Sequence, residues 1–401
     1  MSKNEKLIIF LLACINFTHI LDFMIMMPLG NYLMPFFEIN PKQFSFLVGA
    51  YTFTAAAAGF TAAFFVDKFD RKKVLLFGYI GFLAGTFACG FAHSYGTLMA
   101  ARIFAGLFGG LIGAQVMSII ADLIGYERRG AAMGAVMSSF AIASTIGVPL
   151  SLYLSNIFTW HAPFLFVGFL GIIIVPLVIR FIPSVTGHIN GKKNEVHRFH
   201  VILSVINSRE QRMALLFSGL VMLGHFLIIP FINPYLEFNL GFTKDQTPLV
   251  YLFGGIASFI AAVVLGKLSD KIGKLNVFTY SVIFSFIIVW VITNMPIMPF
   301  TLVIFIFALW FIVATGRAVT AQAMISEVVK SEQRGSYLSF NSSVQQLGTA
   351  IASLIAGFIV IQNAEGKLLF FEWVGYISIL VLILGLLLGR YLFPGLDKKI
   401  E

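Results

Sequence analysis

A charged segment between two apolar stretches near residue 70 recurs in the second half of the chain. It runs from Asp67 to Lys73 and returns 203 residues later as Asp270 to Lys274, again between two apolar stretches. Two further patterns repeat at nearly the same offset: Pro28 and Asn31 match Pro230 and Asn233, and Asp122 to Gly130 matches Glu327 to Gly335. The chain is therefore predicted to consist of two similar halves.

Apolar stretches long enough to cross a bilayer make up most of the chain. With 59% hydrophobic and 11% charged residues, too little polar surface is available to cover a soluble core of this size. A membrane helix needs about 20 apolar residues. Twelve such stretches, numbered here as spans 1 to 12, are predicted at 7–36, 45–66, 74–92, 97–124, 131–154, 163–182, 212–236, 247–268, 276–294, 300–328, 337–362 and 371–394. A membrane bundle duplicated in this way is typical of secondary transporters, whose substrate site lies between the two repeats.

The distribution of Lys and Arg predicts how the spans are oriented. If the N-terminus is cytoplasmic, 22 of the 27 basic residues fall on cytoplasmic segments, as the positive-inside rule requires. The net charge of +9 is then a signature of topology, and it does not indicate a nucleic-acid partner. We expect a multi-pass protein of the bacterial cytoplasmic (inner) membrane with both termini in the cytoplasm.

The longest polar segment divides the spans six and six. We therefore predict an N-terminal bundle at 1–182, a cytoplasmic linker at 183–211 and a C-terminal bundle at 212–401. Cys14 and Cys89 both fall inside spans, so no disulfide is expected. Span 1 lacks a small-residue cleavage pattern, so we expect it to be retained as a membrane helix.

The repeated loop resembles the signature of the major facilitator superfamily, Gly-x-x-x-Asp-(Arg/Lys)-x-Gly-(Arg/Lys)-(Arg/Lys). The C-terminal copy contains Gly266, Asp270, Lys271, Gly273 and Lys274, and the N-terminal copy keeps Asp67, Lys68, Arg71 and Lys72 but replaces the glycines by Ala63 and Asp70. The resemblance covers essentially all 401 residues, and within the family it is to the twelve-span drug:proton antiporter and sugar-efflux group, which includes arabinose-efflux-like proteins. It implies an all-α membrane protein of twelve transmembrane helices in two pseudo-symmetric six-helix bundles.

The resemblance also implies a conformational latch. Its residues would be Asp67, Arg71, Gly266, Asp270 and Gly273, which would hold the cytoplasmic side closed in the outward-facing state. The alternative is that the basic residues of these loops only anchor the topology.

Two charges lie at matching depth in the membrane. Asp22 is about 15 residues into span 1 from the cytoplasmic side and Arg102 about 5 residues into span 4 from the outside, which places both in the outer half at about 1.5 Å per residue. We therefore expect them to be partners. In this superfamily spans 1, 4, 7 and 10 line the cavity, and an Arg at the position of Arg102 is associated with proton transfer. We therefore predict that Asp22 is protonated in one conformation and paired with Arg102 in the other, so that the two residues couple proton movement to transport. The alternative is a static ion pair that joins spans 1 and 4.

Two residues of the C-terminal half are further candidates for proton coupling or substrate binding. His225 lies at nearly the repeat position of Asp22, and a histidine titrates near physiological pH, so His225 is a candidate for proton coupling. It is equally open to being a packing residue, as is His19. Arg317 lies at mid-depth in span 10, and no acidic residue lies in the apolar interior of the C-terminal half. Arg317 therefore meets Asp22, binds a polar or anionic substrate group, or extends toward the interface.

Polar side chains in spans 4, 10 and 11 complete the predicted substrate site. They are Gln115, Gln322, Asn341 and Gln345, together with Arg317. Hydrogen bonding between helices is the alternative explanation for some of them.

The function predicted is proton-coupled export of a small molecule, such as a drug, a sugar or a metabolite, by alternating access. The alternatives are a proton-coupled importer of an organic anion, and a non-transporting membrane receptor on the same fold. No HExxH, GxSxG or Walker A motif and no zinc-type cluster occurs in the sequence, so neither an enzyme nor a cofactor or metal is expected. The expected partners are the substrate, protons and the lipid bilayer; the oligomeric state is open, a monomer being usual for this fold.

Overall fold

The computed structural model describes residues 2–62, 66–186, 208–328 and 334–394. Within these ranges the chain is almost entirely helical. The α-helices are α1 (Lys3–Met26), α2 (Gly30–Phe37), α3 (Pro41–Ala62), α4 (Arg71–Gly90), α5 (Tyr95–Leu123), α6 (Tyr126–Ile142), α7 (Val148–Ile157), α8 (Ala162–Phe181), α9 (Arg209–Phe226), α10 (Ile229–Pro234), α11 (Thr247–Ile272), α12 (Lys274–Thr293), α13 (Phe300–Glu327), α14 (Arg334–Ile359) and α15 (Phe371–Leu392). A short antiparallel hairpin, β1 (Ile361–Gln362) with β2 (Leu368–Leu369), joins α14 to α15.

The prediction of twelve membrane spans is confirmed for the described residues. Twelve helical segments there are long and apolar enough to cross a bilayer. The membrane-spanning part of span 1 is α1, and the short helix α2 follows it. Spans 5 and 7 consist of α6 with α7 and of α9 with α10; the other spans are the single helices α3, α4, α5, α8, α11, α12, α13, α14 and α15. Most of the predicted linker, residues 187–207, lies outside the described residues.

Spans 1 and 7 are each broken where the sequence had predicted one continuous apolar stretch. Span 1 breaks at residues 27–29 and span 7 at residues 227–228, next to the repeated Pro28 and Pro230. Proline lacks the N–H of a regular helix and its ring clashes with the preceding turn, which accounts for breaks at matching places in the two halves. A π-helical turn at Ala143–Gly147 immediately precedes α7, in which Pro149 lies in the first turn.

Capping side chains determine where several spans begin. Ser2 and Glu5 form a reciprocal capping box at the start of α1, and Ser94 and Thr97 form one at the start of α5. Such caps satisfy backbone N–H groups that have no partner within the helix. We call the side of the bundle where α1 begins the terminal face, and the other side the opposite face.

The two halves pack directly on each other through spans 2 and 11. Gly357 lies against Ser45 so closely that a Cβ would clash, and Gly59 lies against Ser343 in the same way. Without a hydrophobic drive between helices in lipid, small residues of this kind let two backbones approach. A similar contact between Gly255 and Thr145 joins spans 8 and 5.

Candidate functional site

Asp22 and Arg102 form an ion pair in the interior of the N-terminal half. Arg102 Nη1 donates to Asp22 Oδ2 at 2.8 Å, and the two side chains are 1% and 0% exposed. The other carboxylate oxygen, Oδ1, accepts a hydrogen bond of 3.1 Å from the Thr86 hydroxyl in span 3. The predicted pairing of spans 1 and 4 through these residues is therefore confirmed.

The Arg102 guanidinium also lies over the ring of Tyr51. Its Cζ is 4.3 Å from the ring centroid, which is within the range of a cation–π contact. Span 2 comes this close because Gly106 packs on the Tyr51 backbone, where a Cβ would collide. Arg102 Nε and the Tyr51 hydroxyl are both buried without a hydrogen-bond partner in the described residues.

His19 lies beside this pair but does not contact the carboxylate. It packs edge-on against Phe82 at 5.5 Å between ring centroids, and its Nε2 has no hydrogen-bond partner in the described part of the chain. Both His19 Nε2 and the Tyr51 hydroxyl border Gly109 of span 4. The structure thus places two unpaired polar atoms side by side at Gly109, and His19 lies about one helical turn before Asp22 in α1.

Arg317 is the second buried arginine, and it lies in the C-terminal half. It is 2% exposed, and one end of its guanidinium, Nη2, donates to His225 Nδ1 at 3.4 Å. The other end, Nη1, is buried without a partner among the described residues. The His225 ring stacks on Trp310 with centroids 5.2 Å apart, and the Trp310 Nε1–H is likewise buried and unpaired.

Neither Arg317 nor His225 contacts the Asp22 carboxylate. Asp22 is occupied by Arg102 and Thr86, so Arg317 does not pair with it in this structure. Arg317 is also buried against His225 and does not extend to an exposed interface. His225 lies near the repeat position of Asp22, yet it contacts Arg317 and Trp310 and not the Asp22 carboxylate.

A row of aromatic rings connects the two arginines across the boundary between the halves. From Tyr51 the row continues to Phe23 at 6.1 Å, then to Phe226 at 5.7 Å and to His225 at 5.1 Å, all measured between ring centroids. These separations are those of interacting aromatic pairs. The contact between Phe23 and Phe226 is the one that crosses from span 1 to span 7. Sequence reasoning missed this row, because the 44 phenylalanines gave no signal to single out two of them.

The predicted polar residues are distributed around the same central region. Gln322 and Gln345 line a small cavity with Ser218, Met222 and Ala318 between spans 7, 10 and 11, and Gln345 Nε2 donates to the Ser218 hydroxyl at 3.0 Å. Gln115 and Asn341 are 2% and 1% exposed, and the amide oxygen of each has no partner in the described residues. Both amide oxygens are therefore buried acceptors without a donor among the described residues.

At the opposite face the two halves are joined by hydrogen bonds. Asn233 Nδ2 donates to the backbone oxygen of Pro28 at 2.9 Å. The Tyr32 hydroxyl donates to Asn156, whose Nδ2 donates to the backbone oxygen of Lys244 at 2.8 Å. Lys244 Nζ in turn lies 4.3 Å from the centroid of the Tyr32 ring. The opposite face is therefore closed in this structure.

At the terminal face the repeated loops form matching ion pairs. Arg71 Nε binds Asp122 Oδ2 at 2.6 Å in the N-terminal half, and Lys274 binds Glu327 in the C-terminal half. Each pair joins the loop to the end of span 4 or span 10. The side chain of Asp67 lies outside the described residues, and Asp270 is exposed.

The two copies of the loop differ where the signature expects its second glycine. Gly273 has a φ of 97°, a conformation that favours glycine, and Gly266 has open space where a side chain would begin. Asp70 has a φ of −56° and caps α4 through Lys72 N–H. It also accepts from the Ser184 hydroxyl at 2.6 Å and from Val185 N–H at 2.9 Å.

The charge state of Asp70 follows from these contacts. Burial acts to raise its pKa, but the hydrogen bonds from Ser184, Val185 and Lys72 and the charge of Lys73 outweigh it, so the pKa is lowered below the usual value. Asp70 is therefore an ionised capping residue that fixes the end of span 6 beside span 3.

Comparisons with known proteins agree with this architecture. The family model described as Major Facilitator Superfamily matches residues 12–316 and 214–401. The MFS-type transporter YceJ of Bacillus subtilis, itself uncharacterized, is 23% identical over 84% of this chain and 85% of its own length. The putative transporter AraJ of Escherichia coli is 22% identical over 54% of this chain and 53% of its own. Among solved structures, a bacterial homologue of the human lysosomal transporter Spinster, inward-facing and occupied, aligns over 100% of both chains with a TM-score of 0.76 and 13% identity.

Proposed function

The chain belongs to the Major Facilitator Superfamily, and from this premise we propose that it is a proton-coupled exporter of a small molecule that works by alternating access. The relatives and the twelve apolar helices of the described residues support a multi-pass membrane transporter. We propose the proton coupling, the direction of transport and the class of substrate.

The ion pair between Asp22 and Arg102 is the observation that carries the proposal. Both side chains are removed from solvent, and their charges meet at 2.8 Å. A buried pair is not a strong source of stability, yet leaving either charge buried alone costs about 3–5 kcal/mol. The pair therefore adds little stability, but its separation requires that one of the two buried charges be neutralised. Reversible protonation of Asp22 would do this.

The chemistry proposed for Asp22 is reversible protonation. While Arg102 is in contact, the carboxylate is neutralised by the guanidinium and stays ionised. When the two side chains separate, the carboxylate remains buried only if it takes up a proton. The Thr86 hydroxyl donates to Asp22 Oδ1 and would hold the carboxyl group in position in both states.

The closed opposite face supports an alternating-access cycle. We assign the terminal face to the cytoplasm, because the basic residues Lys72, Lys274 and Arg128 lie there and cytoplasmic loops carry an excess of positive charge. We propose that the bonds of Asn233 and Tyr32, which close the opposite face, break when the protein opens to the outside. Arg317, Gln115, Gln322, Asn341 and Gln345 are proposed to contact the substrate.

The direction of transport has a second candidate. No acid among the described residues contacts the buried cation Arg317, and this favours an anionic substrate, which an importer would bring in together with a proton. Export rests on the resemblance of the loop residues Gly266, Asp270 and Gly273 to the drug and sugar-efflux group. The two directions differ in whether protons and substrate move oppositely or together.

Flux measurements in proteoliposomes test these proposals. Purified protein is reconstituted with an internal pH indicator, a pH gradient is imposed, and arabinose, ethidium and phenylacetate are supplied as probes of a sugar, a cationic drug and a small acid. Opposed proton and substrate movement supports the exporter, and movement in the same direction supports the importer. The absence of both fluxes for all three probes would support the receptor and contradict transport.

The Asp22→Asn variant tests the coupling residue in the same vesicles. It mimics a permanently protonated acid, so we expect it to lose gradient-driven accumulation while exchange of substrate across the membrane continues. Glu365→Gln, an exposed carboxylate in the hairpin before span 12, is the matched control and should behave like the parent. Full gradient-driven accumulation by Asp22→Asn would rule out Asp22 as the coupling residue.

A further inference from the structure

The cluster around Arg317 contains hydrogen-bond donors without acceptors. We propose that it binds the carboxylate of a monoanionic organic acid whose apolar body lies along the rings of His225 and Trp310. This inference rests on the proposed function in taking the central region between the halves as the substrate site, and it adds the chemical class of the substrate.

The donors are built into the fold and are not surface groups. Arg317 and Trp310 are 2% and 3% exposed, and Arg317 Nη1 and Trp310 Nε1 lack partners in the described residues. They lie seven residues apart on α13, so they share one face of the helix about two turns apart. His225 contacts both residues and lies between them.

His225 fixes which part of the guanidinium is free. Its Nδ1 accepts from Arg317 Nη2 at 3.4 Å, so the ring nitrogen acts as the acceptor for that end. Nη1 is left buried without a partner in the described residues. A carboxylate oxygen at Nη1 would make the charge-assisted hydrogen bond that the site lacks.

The acids of the protein do not supply this bond in the described structure. Asp22 is held by Arg102 and Thr86, Glu327 is held by Lys274, and Glu237 accepts from Thr247 at 3.2 Å. No carboxylate among the described residues contacts Arg317. An isolated buried charge is costly, and a ligand that brings one negative charge removes that cost.

The charge of the site sets the charge of the ligand. Arg317 contributes one fixed positive charge, and no Lys or second Arg contacts it in the described part of the chain. A dianion such as a phosphate monoester would keep one charge uncompensated in a buried place. A cation would be repelled by Arg317 outright. A monocarboxylate fits both conditions.

The surroundings of Arg317 also indicate an apolar body. Trp310 packs at 5.0 Å from Phe311 and 6.3 Å from Phe307, and His225 packs at 5.1 Å from Phe226, all between ring centroids. Aromatic walls with a few polar groups are the usual lining of small-molecule sites. A substrate with an apolar or aromatic body would gain contact with these rings that acetate alone would not.

Binding in detergent, without any gradient, tests the proposal with matched probes. The stabilisation of the full-length protein against heat is titrated with phenylacetate, with phenylacetamide, with indole-3-acetate, with indole-3-acetamide, with the dicarboxylate homophthalate and with acetate. We expect each monoacid to bind at least about tenfold more tightly than its amide, because a hydrogen bond to a charged group contributes about 1.5–3 kcal/mol. Acetate and homophthalate should bind more weakly than phenylacetate.

Variants assign the preference to the cluster. Arg317→Gln should remove the preference for acid over amide, and Arg317→Lys should retain part of it because the charge remains. Trp310→Phe keeps a ring but loses the N–H, and should reduce acid binding about threefold. Arg390→Gln, an exposed arginine in the same half that donates to Thr279 at 3.3 Å, is the control and should match the parent.

Three results would overturn the assignment. They are equal binding of acid and amide in the parent for both pairs, a preference that survives Arg317→Gln, and binding of acetate as tight as that of phenylacetate. Should Arg317→Gln not fold, Arg317→Lys and Trp310→Phe supply the same comparison. Since no proton gradient is involved, failure here is separate from failure of the transport proposal, which is measured as flux.

Discussion

The side-chain amide of Asn233 donates a hydrogen bond of 2.9 Å to the backbone oxygen of Pro28. This oxygen is free because span 1 breaks here, and the Tyr32 N–H that would reach it in a regular helix donates to Leu29 O at 3.0 Å instead. The two residues belong to the repeated Pro-x-x-Asn patterns of the two halves. Asn233 of the C-terminal copy therefore binds the backbone oxygen that the break in span 1 leaves free in the N-terminal copy. This bond must be broken when the opposite face opens.

We predict that Asn233→Ala shifts the protein toward the conformation in which the opposite face is open. Loss of one hydrogen bond between the halves removes about 1 kcal/mol, or roughly a fivefold change in the ratio of the two states. Spin labels at Glu38→Cys and Thr243→Cys, in a Cys14→Ser background, would report the change as a larger population of long distances.

The matched control for this measurement is Asn276→Ala. Asn276 loses a local bond of 2.8 Å to Ile272 within one half, so its distance distribution should equal that of the parent. An unchanged distribution in Asn233→Ala would mean that this bond contributes nothing to closing the opposite face.

The sequence predicted the repeat at Pro28 and Pro230 but not what it does. Periodicity and offset show that two segments are alike, whereas the bond between Asn233 and Pro28 depends on how the two halves face each other. The break itself was predictable in principle, because proline interrupts helix hydrogen bonding. The apolar residues that continue through 30–36 hid it within a single long stretch.

The loop aspartates at the terminal face give a second prediction. Asp67→Asn and Asp270→Asn should each slow transport while leaving substrate binding and expression close to those of the parent, because the proposed latch alters the balance between two conformations and not the site. Turnover is measured against binding in the same preparations. Unchanged turnover in both variants would show that the loops only anchor the topology.

The ion pairs beside these aspartates make a contrasting comparison. Asp122→Asn and Glu327→Gln remove the partners of Arg71 and Lys274. Because partly exposed pairs of this kind contribute about 0–1 kcal/mol, we expect a small loss of thermal stability in each. A loss well above this range would indicate a structural role larger than the geometry implies.

Asp70 provides a prediction for pH dependence. Since its pKa is lowered from the ordinary 3.8 in the folded protein, its contribution to stability is fully present above that value and is lost as the pH falls through the lowered pKa. Asp70→Asn should therefore lower the free energy of unfolding by about 1 kcal/mol at neutral pH, because the hydrogen bonds from Ser184, Val185 and Lys72 lose the carboxylate charge that strengthens them.

The difference between the parent and Asp70→Asn should be constant from about pH 5 upward and should shrink only under more acidic conditions. Thermal unfolding of both proteins in a pH series measures it, with Glu365→Gln as the control for loss of an exposed carboxylate. A difference that grows as the pH falls would contradict the sign of the pKa shift.

The candidate site was partly predictable for reasons of charge. Asp22, Arg102 and Arg317 stand out because charges inside a membrane are rare, and the matching depth of Asp22 and Arg102 predicted their contact. Depth along a helix does not give the direction in which a side chain points. For this reason the sequence left three alternatives open for Arg317, and the stacking of His225 on Trp310 was not foreseen.

The contact between Phe23 and Phe226 gives the last prediction. These rings, 5.7 Å apart, are the step at which the row from Arg102 to Arg317 crosses between the halves, and we predict that they couple the movement of one half to the other. Phe226→Leu keeps an apolar side chain but loses the aromatic pair, which contributes about 0.5–1.5 kcal/mol. We expect it to lower the ratio of protons to substrate moved while the binding affinity stays within about threefold of the parent.

Phe305→Leu, a ring that is 59% exposed on span 10, controls for the general effect of losing a phenylalanine. A purely structural role would lower stability and flux together and leave the ratio unchanged, whereas a coupling role changes the ratio itself. Proton and substrate flux measured in the same vesicles decide between the two, and a ratio equal to that of the parent would exclude the row of rings as the connection between the halves.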